Sequence, residues 1–183
     1  VGQAFIVGAD GEVLIDPEAR QLSARCGRPV TGQMDLSHER NGGSMHDTGG
    51  EFVVGRLMFP QARRGWALGV GRGDWRRGGT AWTVDYPEGD RTFARLLDRL
   101  TTVNVRAVEQ PVNLDDEIDA FYWPFLISGL VGAWDLTDEQ AARLREYLLR
   151  GGFLLCDSFY GTAEWEGFIA GMRRVFPDRP IVD

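Results

Sequence analysis

The chain has 183 residues, a formal charge of −7, 43% hydrophobic and 11% aromatic residues. That length suits one domain, or one domain with an irregular arm, able to bury about two-thirds of its extended surface without disulfides or a structural metal. All 20 basic residues are Arg against 27 acidic ones, which argues against nucleic-acid or anionic-membrane partners. The lack of Lys excludes a lysine Schiff base and a P-loop lysine. No stretch approaches the roughly 20 apolar residues of a membrane span.

Residues 3–15, QAFIVGADGEVLI, read as a hairpin: Phe5–Val7 and Glu12–Ile15 flank Gly8-Ala9-Asp10-Gly11. Residues 16–50 lose periodicity and end in NGGSMHDTGG, a flexible connection or an arm. The texture changes near Glu51, which predicts a hairpin and Gly-rich arm over 1–50 and an α/β domain over 51–183. Cys26 and Cys156 read most simply as two reduced thiols. The two histidines, His38 and His46, fall in the arm; with Cys26 and Asp47 they lack the spacing of a metal site, and no metal is expected.

In the second segment Phe52–Phe59 predicts a strand ended by Pro60, followed by a long Gly- and Arg-rich loop over 65–80. Phe93, Leu96, Leu97 and Leu100 share one helix face within Asp90–Thr101, capped by Gly89-Asp90, and Val103–Val108 reads as a short strand. Another strand starts after Pro124 within Phe121–Gly129. Thr137 and Gln140 form a capping box for a helix that buries Ala141, Leu144, Tyr147 and Leu148 and finishes at Gly151-Gly152. Phe153–Cys156 is an unalternated apolar run, as for a strand covered on both faces. A last helix carries Trp165, Phe168, Ile169, Met172 and Phe176 and stops at Pro177, after which Ile181-Val182 opens a further strand. This rhythm predicts a three-layer α/β fold with a mostly parallel sheet, an N-terminal hairpin and an irregular arm. The last strand barely begins before Asp183, so the chain reads as truncated there or as ending in a brief edge pairing.

In such a sheet the loops at the C-terminal strand ends form the usual site. The richest is Asp157-Ser158-Phe159-Tyr160-Gly161-Thr162, read either as ligand-facing or as a turn held by Asp157 or Ser158 with Thr162 capping the next helix. Asp85 and Asp157, with Trp82 or Tyr86 as an apolar wall, would suit a polyol or sugar. Cys156 reads as a buried inert thiol: it continues an apolar strand, precedes an acid and lacks a nucleophile elbow. Arg72, Arg76 and Arg77 follow Gly69-Val70-Gly71 and can clamp an anion or a partner's acidic face, or form a solvated lid edge. The acidic run Asp115, Asp116, Glu117 and Asp119 reads as a solvated loop or helix start.

Trp82-Thr83-Val84-Asp85-Tyr86-Pro87, Asp90-Arg91-Thr92-Phe93, Tyr122-Trp123-Pro124-Phe125, Leu136-Thr137-Asp138-Glu139 and Tyr147–Leu154 resemble the bacterial DUF4159 family, as do Asp157, Phe159, Gly161, Glu164-Trp165 and Arg174–Arg179. The resemblance covers about residues 51–183 and omits the arm. It implies a fold similar to class I glutamine amidotransferase-like, flavodoxin-like domains. It also places Phe159 where an active amidotransferase carries its nucleophilic Cys, with no downstream His-Glu pair in view. Family members resemble exported or membrane-associated proteins, which implies a periplasmic or membrane-associated setting beside a cytoplasmic one.

The leading expectation is a non-catalytic ligand-binding or scaffolding domain with no cofactor, taking a small polar ligand or a protein partner. Its ligand-binding candidates are Trp82, Asp85, Tyr86, Asp157, Ser158, Tyr160, Arg72 and Arg76. The alternative is a hydrolase of a carbohydrate or amide using Asp85, Asp157 and Ser158. A third reading makes the Gly-Arg loop a docking or anion-binding lid. Oligomeric state stays open, with the hairpin as one edge for association.

Overall fold

The computed structural model describes residues 52–62 and 73–181, together with the backbone of 5–7 and 13–15. Strands β1 (Phe5–Val7) and β2 (Val13–Ile15) pair antiparallel as the sequence predicts for the hairpin. They are followed by β3 (Gly55–Met58), α1 (Glu88–Leu100), β4 (Gln110–Asn113), β5 (Phe125–Gly129), α2 (Asp138–Leu149), β6 (Phe153–Asp157) and α3 (Gly161–Val175). One sheet runs in the order β2-β1-β6-β5-β3-β4. Strands β3 to β6 are mutually parallel, and β1 joins β6 antiparallel. The protein is an α/β fold with a parallel sheet at its centre.

The chain leaves β3 for β4 on one side and then returns to β5 on the other. Right-handed crossovers of opposite direction put α1 and α2 on opposite faces, and α3 packs beside α2. Register assigns the faces. Arg56 pairs with Ile127, Ile127 with Leu155, and Gly129 with Asp157, so these residues share the face under α1. Leu57, Leu126, Leu154 and Cys156 belong to the other face and are fully buried.

Helix α2 forms as its sequence dictates. The Thr137 hydroxyl accepts from the Gln140 N–H, the Gln140 side chain accepts from the Thr137 N–H, and Ala141, Leu144, Tyr147 and Leu148 are buried. Gly151, at φ 96°, ends it, and the Gly152 N–H donates to the Tyr147 carbonyl. Helix α3 buries Phe168 and Met172 and gives way at Phe176, before Pro177. Its Gly167 meets the turn Val131–Ala133 so closely that a Cβ there would run into the Gly132 carbonyl oxygen.

Four expectations need correction. Helix α1 begins at Glu88 with Pro87 at its N-cap and no side-chain cap, so Asp90 is a first-turn residue rather than a cap. Its inner face carries Asp90 and Ala94 with two of the four expected residues, Phe93, stacked on Phe125, and half-buried Leu97, while Leu96 and Leu100 are 42% and 79% exposed. The helix is turned this way because Asp90 meets Arg56 on β3 through two hydrogen bonds, 2.9 Å from Nε and 2.7 Å from Nη2. The strand expected at Val103–Val108 reduces to a bridge between Val105 and Phe52, and the paired strand is Gln110–Asn113. The run Phe153–Asp157 is sealed on one face only, since Phe153, Leu155 and Asp157 are half-buried. Ile181 itself is in no strand, and Val182, like Cys26, His38, His46, Asp47 and Arg72, lies outside the described residues.

Arg56 and Asp90 are 4% and 0% exposed. Removing one partner strands a buried charge, at a cost of about 3–5 kcal/mol, whereas replacing both by apolar groups of similar volume is often neutral. Asp90→Ala is therefore expected to lower the urea midpoint sharply, and Arg56→Met with Asp90→Leu to recover most of the loss.

Candidate functional site

The C-terminal ends of β5 and β6, together with the turn before α1, form the rim where the parallel strands point their carbonyl ends. Among the described residues, the non-glycine residues with positive φ are Asp85 (62°), Leu130 (50°) and Ser158 (60°), and all three lie on this rim. Such conformations are uncommon outside glycine and cluster where structure over-determines the backbone. Asp85 is exposed, and its carbonyl accepts from the Gly89 N–H at 2.7 Å, which ties the turn to the start of α1.

Asp157 ends β6 half-buried, and one of its carboxylate oxygens accepts from the Ser158 N–H at 2.6 Å. Desolvation raises its carboxyl above the ordinary range; hydrogen bonds from Ser158 and the charge of Arg56 oppose the rise, and the charge of Asp85 adds to it. The structure thus brings Asp85, Asp157, Ser158 and Arg56 into one electrostatic neighbourhood. The Glu164 carboxylate accepts from the Tyr160 N–H at 2.6 Å and so fixes the end of the loop at the start of α3. Thr162, the expected cap, is an exposed residue inside that helix. Tyr160 is exposed.

The other candidates sit differently. Trp82 has no exposed surface and donates from its indole to the Trp75 carbonyl at 2.7 Å. It is a core residue behind Tyr86, with ring centroids 5.5 Å apart, rather than an open pocket wall. The Tyr86 phenol lies beside Glu109; burial, then the charges of Glu109 and Asp90, push its ionisation well above the usual range. Glu109 also pairs with Arg91 through bonds of 2.9 and 3.2 Å. Arg76 is not a spare anion clamp, because it pairs with Asp115 and lies over the Trp75 ring. Nor is the acidic run merely solvated: Asp119 accepts from the Asn113 N–H and the Trp123 indole, and Asp116 from the Ile118 and Asp119 N–H groups.

Cys156 is a free thiol on the face opposite Asp157, and burial, reinforced by the Asp157 charge, pushes its ionisation far up. A thiol held in that state is a poor nucleophile. Beside it in register, the Ser128 hydroxyl is buried and has no hydrogen-bond partner among the described residues. No group of three or more metal-ligating side chains occurs among the described residues.

Sequence reasoning missed Arg56 and Gly129. The available signal was a lone charge inside FVVGRLMF, since a charge in a strand covered on both faces must find a buried partner. Gly129, in register with Asp157 and so close to Arg56 that an added Cβ would lie 3.3 Å from Nη1, gives no such signal, because that proximity depends on which strands lie beside it.

A family model described as "Domain of unknown function (DUF4159)" matches residues 73–183. That segment is shorter than the stretch from about residue 51 that the resemblance suggests, and β3 precedes it. No curated protein and no solved structure matches the chain.

The folded protein holds the Asp157 proton to higher pH than an unfolded chain with the ordinary value of 3.8. The stabilisation linked to that proton is complete below the unfolded value and is lost as pH rises through the folded one. Asp157→Asn, which retains an acceptor for the Ser158 N–H, is expected to melt higher than wild type near pH 7. The difference should shrink below about pH 3.8, where both states of the wild type are protonated; thermal melts across that range check it.

Proposed function

The chain belongs to the DUF4159 family, and we propose that it serves as a non-catalytic binding domain for a small polar ligand, on a flavodoxin-like, glutamine amidotransferase-like sheet. In support of that class, the parallel strands in the order β4-β3-β5-β6 follow the first four positions of the doubly wound order 2-1-3-4-5. The order reverses between β3 and β5, the place where such sheets take ligands. In this reading residues 51–183 are the binding domain and the hairpin widens its sheet. The bacterial envelope setting rests on the resemblance alone.

The observation that carries the reading is Asp157, a half-buried acid whose carboxyl is raised, one strand from that reversal and within electrostatic reach of Asp85 and Arg56. Ser158 and the exposed Tyr160 follow it on the same loop, and a polar ligand would find acceptors and hydroxyls there. Against thiol hydrolysis stand the buried Cys156 on the opposite face and the aromatic Phe159, stacked 5.5 Å from Phe168.

One observation favours the paired-acid hydrolase of Asp85, Asp157 and Ser158: the Asp157 carboxyl is raised, chiefly by burial, with a small further push from the charge of Asp85. The two readings separate in one experiment. Neutral polyols, monosaccharides and amino acids are titrated into the chain by NMR, and nitrophenyl glycosides and anilides are tested for turnover. Saturable binding without turnover, weakened at least tenfold by Asp157→Ala and by Asp85→Ala, is expected. Turnover abolished by Asp157→Asn would replace the binding reading with the hydrolase.

A further inference from the structure

The buried guanidinium of Arg56 spends only part of its hydrogen-bonding capacity. Nε and Nη2 hold Asp90, and Nη1 makes no hydrogen bond among the described residues. Nη1 points toward β5, where a Cβ built on Gly129 would lie 3.3 Å from it. Gly129 stands in register with Asp157 on the same sheet face. On the face that Arg56 and Asp157 share, the intervening strand β5 therefore carries no side chain at Gly129. Arg56 and Asp157 feel each other's charge and yet form no ion pair.

We propose that Arg56 Nη1 and the Asp157 carboxylate clamp one hydroxyl group of a neutral polyol or sugar, seated in the space left by Gly129. This rests on the polar-ligand reading and names the chemical class. A hydroxyl accepts one hydrogen bond and donates another, so it satisfies both groups and adds no charge. A phosphate or carboxylate would gain from Arg56, whose charge Asp90 already balances, but would face Asp157 and Asp85 as like charges. An ammonium would suit the two acids but offers no acceptor to Nη1. Of these classes the hydroxyl alone offers Nη1 an acceptor and Asp157 a donor without adding charge; a buried polar group left without a partner costs about 1–3 kcal/mol.

The test titrates the isotopically labelled full chain separately with myo-inositol, D-glucose, sodium phosphate and ethylammonium chloride. It reads the Arg56 side-chain nitrogens and the Gly129 and Asp157 amides. The expected result is saturable shifts at all three residues with myo-inositol or glucose and none with the ions. Gly129→Ala, which changes no charge but presses a methyl on Nη1, should weaken that binding at least tenfold; Asp157→Ala supplies the same readout if Gly129→Ala does not fold. Saturation by phosphate or ethylammonium instead overturns the class. Polyol shifts confined to Asp85 and Ser158, with Arg56 and Gly129 unmoved, overturn the clamp and leave the wider binding reading standing. Shifts at none of these residues with any probe overturn both.

Discussion

The guanidinium of Arg56, on the inner strand β3, and the carboxylate of Asp90, in the first turn of α1, meet through two hydrogen bonds in the interior. Neither charge tolerates burial alone, and the forked geometry of the pair fixes the rotation of the helix as well as its distance. The same contact turns Leu96 and Leu100 outward and puts the start of α1, with its Asp85 turn, over the strand ends. Beside it, Glu109 pairs with Arg91 and lies beside the Tyr86 phenol, so two polar contacts, rather than a purely apolar seam, seat this helix. The opposite face is held by conventional packing, with Leu126, Leu154, Leu144, Leu148 and Phe168 all fully buried.

This asymmetry explains what was legible in the sequence. Helices α2 and α3 and strands β5 and β6 depend on apolar spacing and on caps such as Thr137, Gln140 and Gly151, which act within a few residues. Those signals are local and read directly. Helix α1 answers to a partner 34 residues away, so only part of its apolar spacing, Phe93 and Leu97, faces the sheet. Strand β4, QPVN, has one strongly β-forming residue and a proline, and it is a strand because β3 pairs with it.

The rim divides in the same way. Asp85, Asp157 and Ser158 were visible because acids and hydroxyls at strand ends stand out, and the three belong to one electrostatic neighbourhood. Trp82 and Arg76 carry equally suggestive side chains, but the first is sealed in the core and the second is paired with Asp115. Residue type alone cannot separate these cases; burial and an existing partner do. Gly129 matters for what it lacks, and only the alignment of β5 between β3 and β6 gives that lack a meaning.

Strand β4 carries a last consequence at the margin of the sheet. The Gln110 N–H donates inward to the Val54 carbonyl, so by strand alternation the nitrogen of the next residue, Pro111, faces outward. Proline there costs the ladder nothing and deletes a donor from the border facing solvent. A foreign strand docking along that border would meet a gap in its template, which steers aggregation by strand addition away from this side of the molecule.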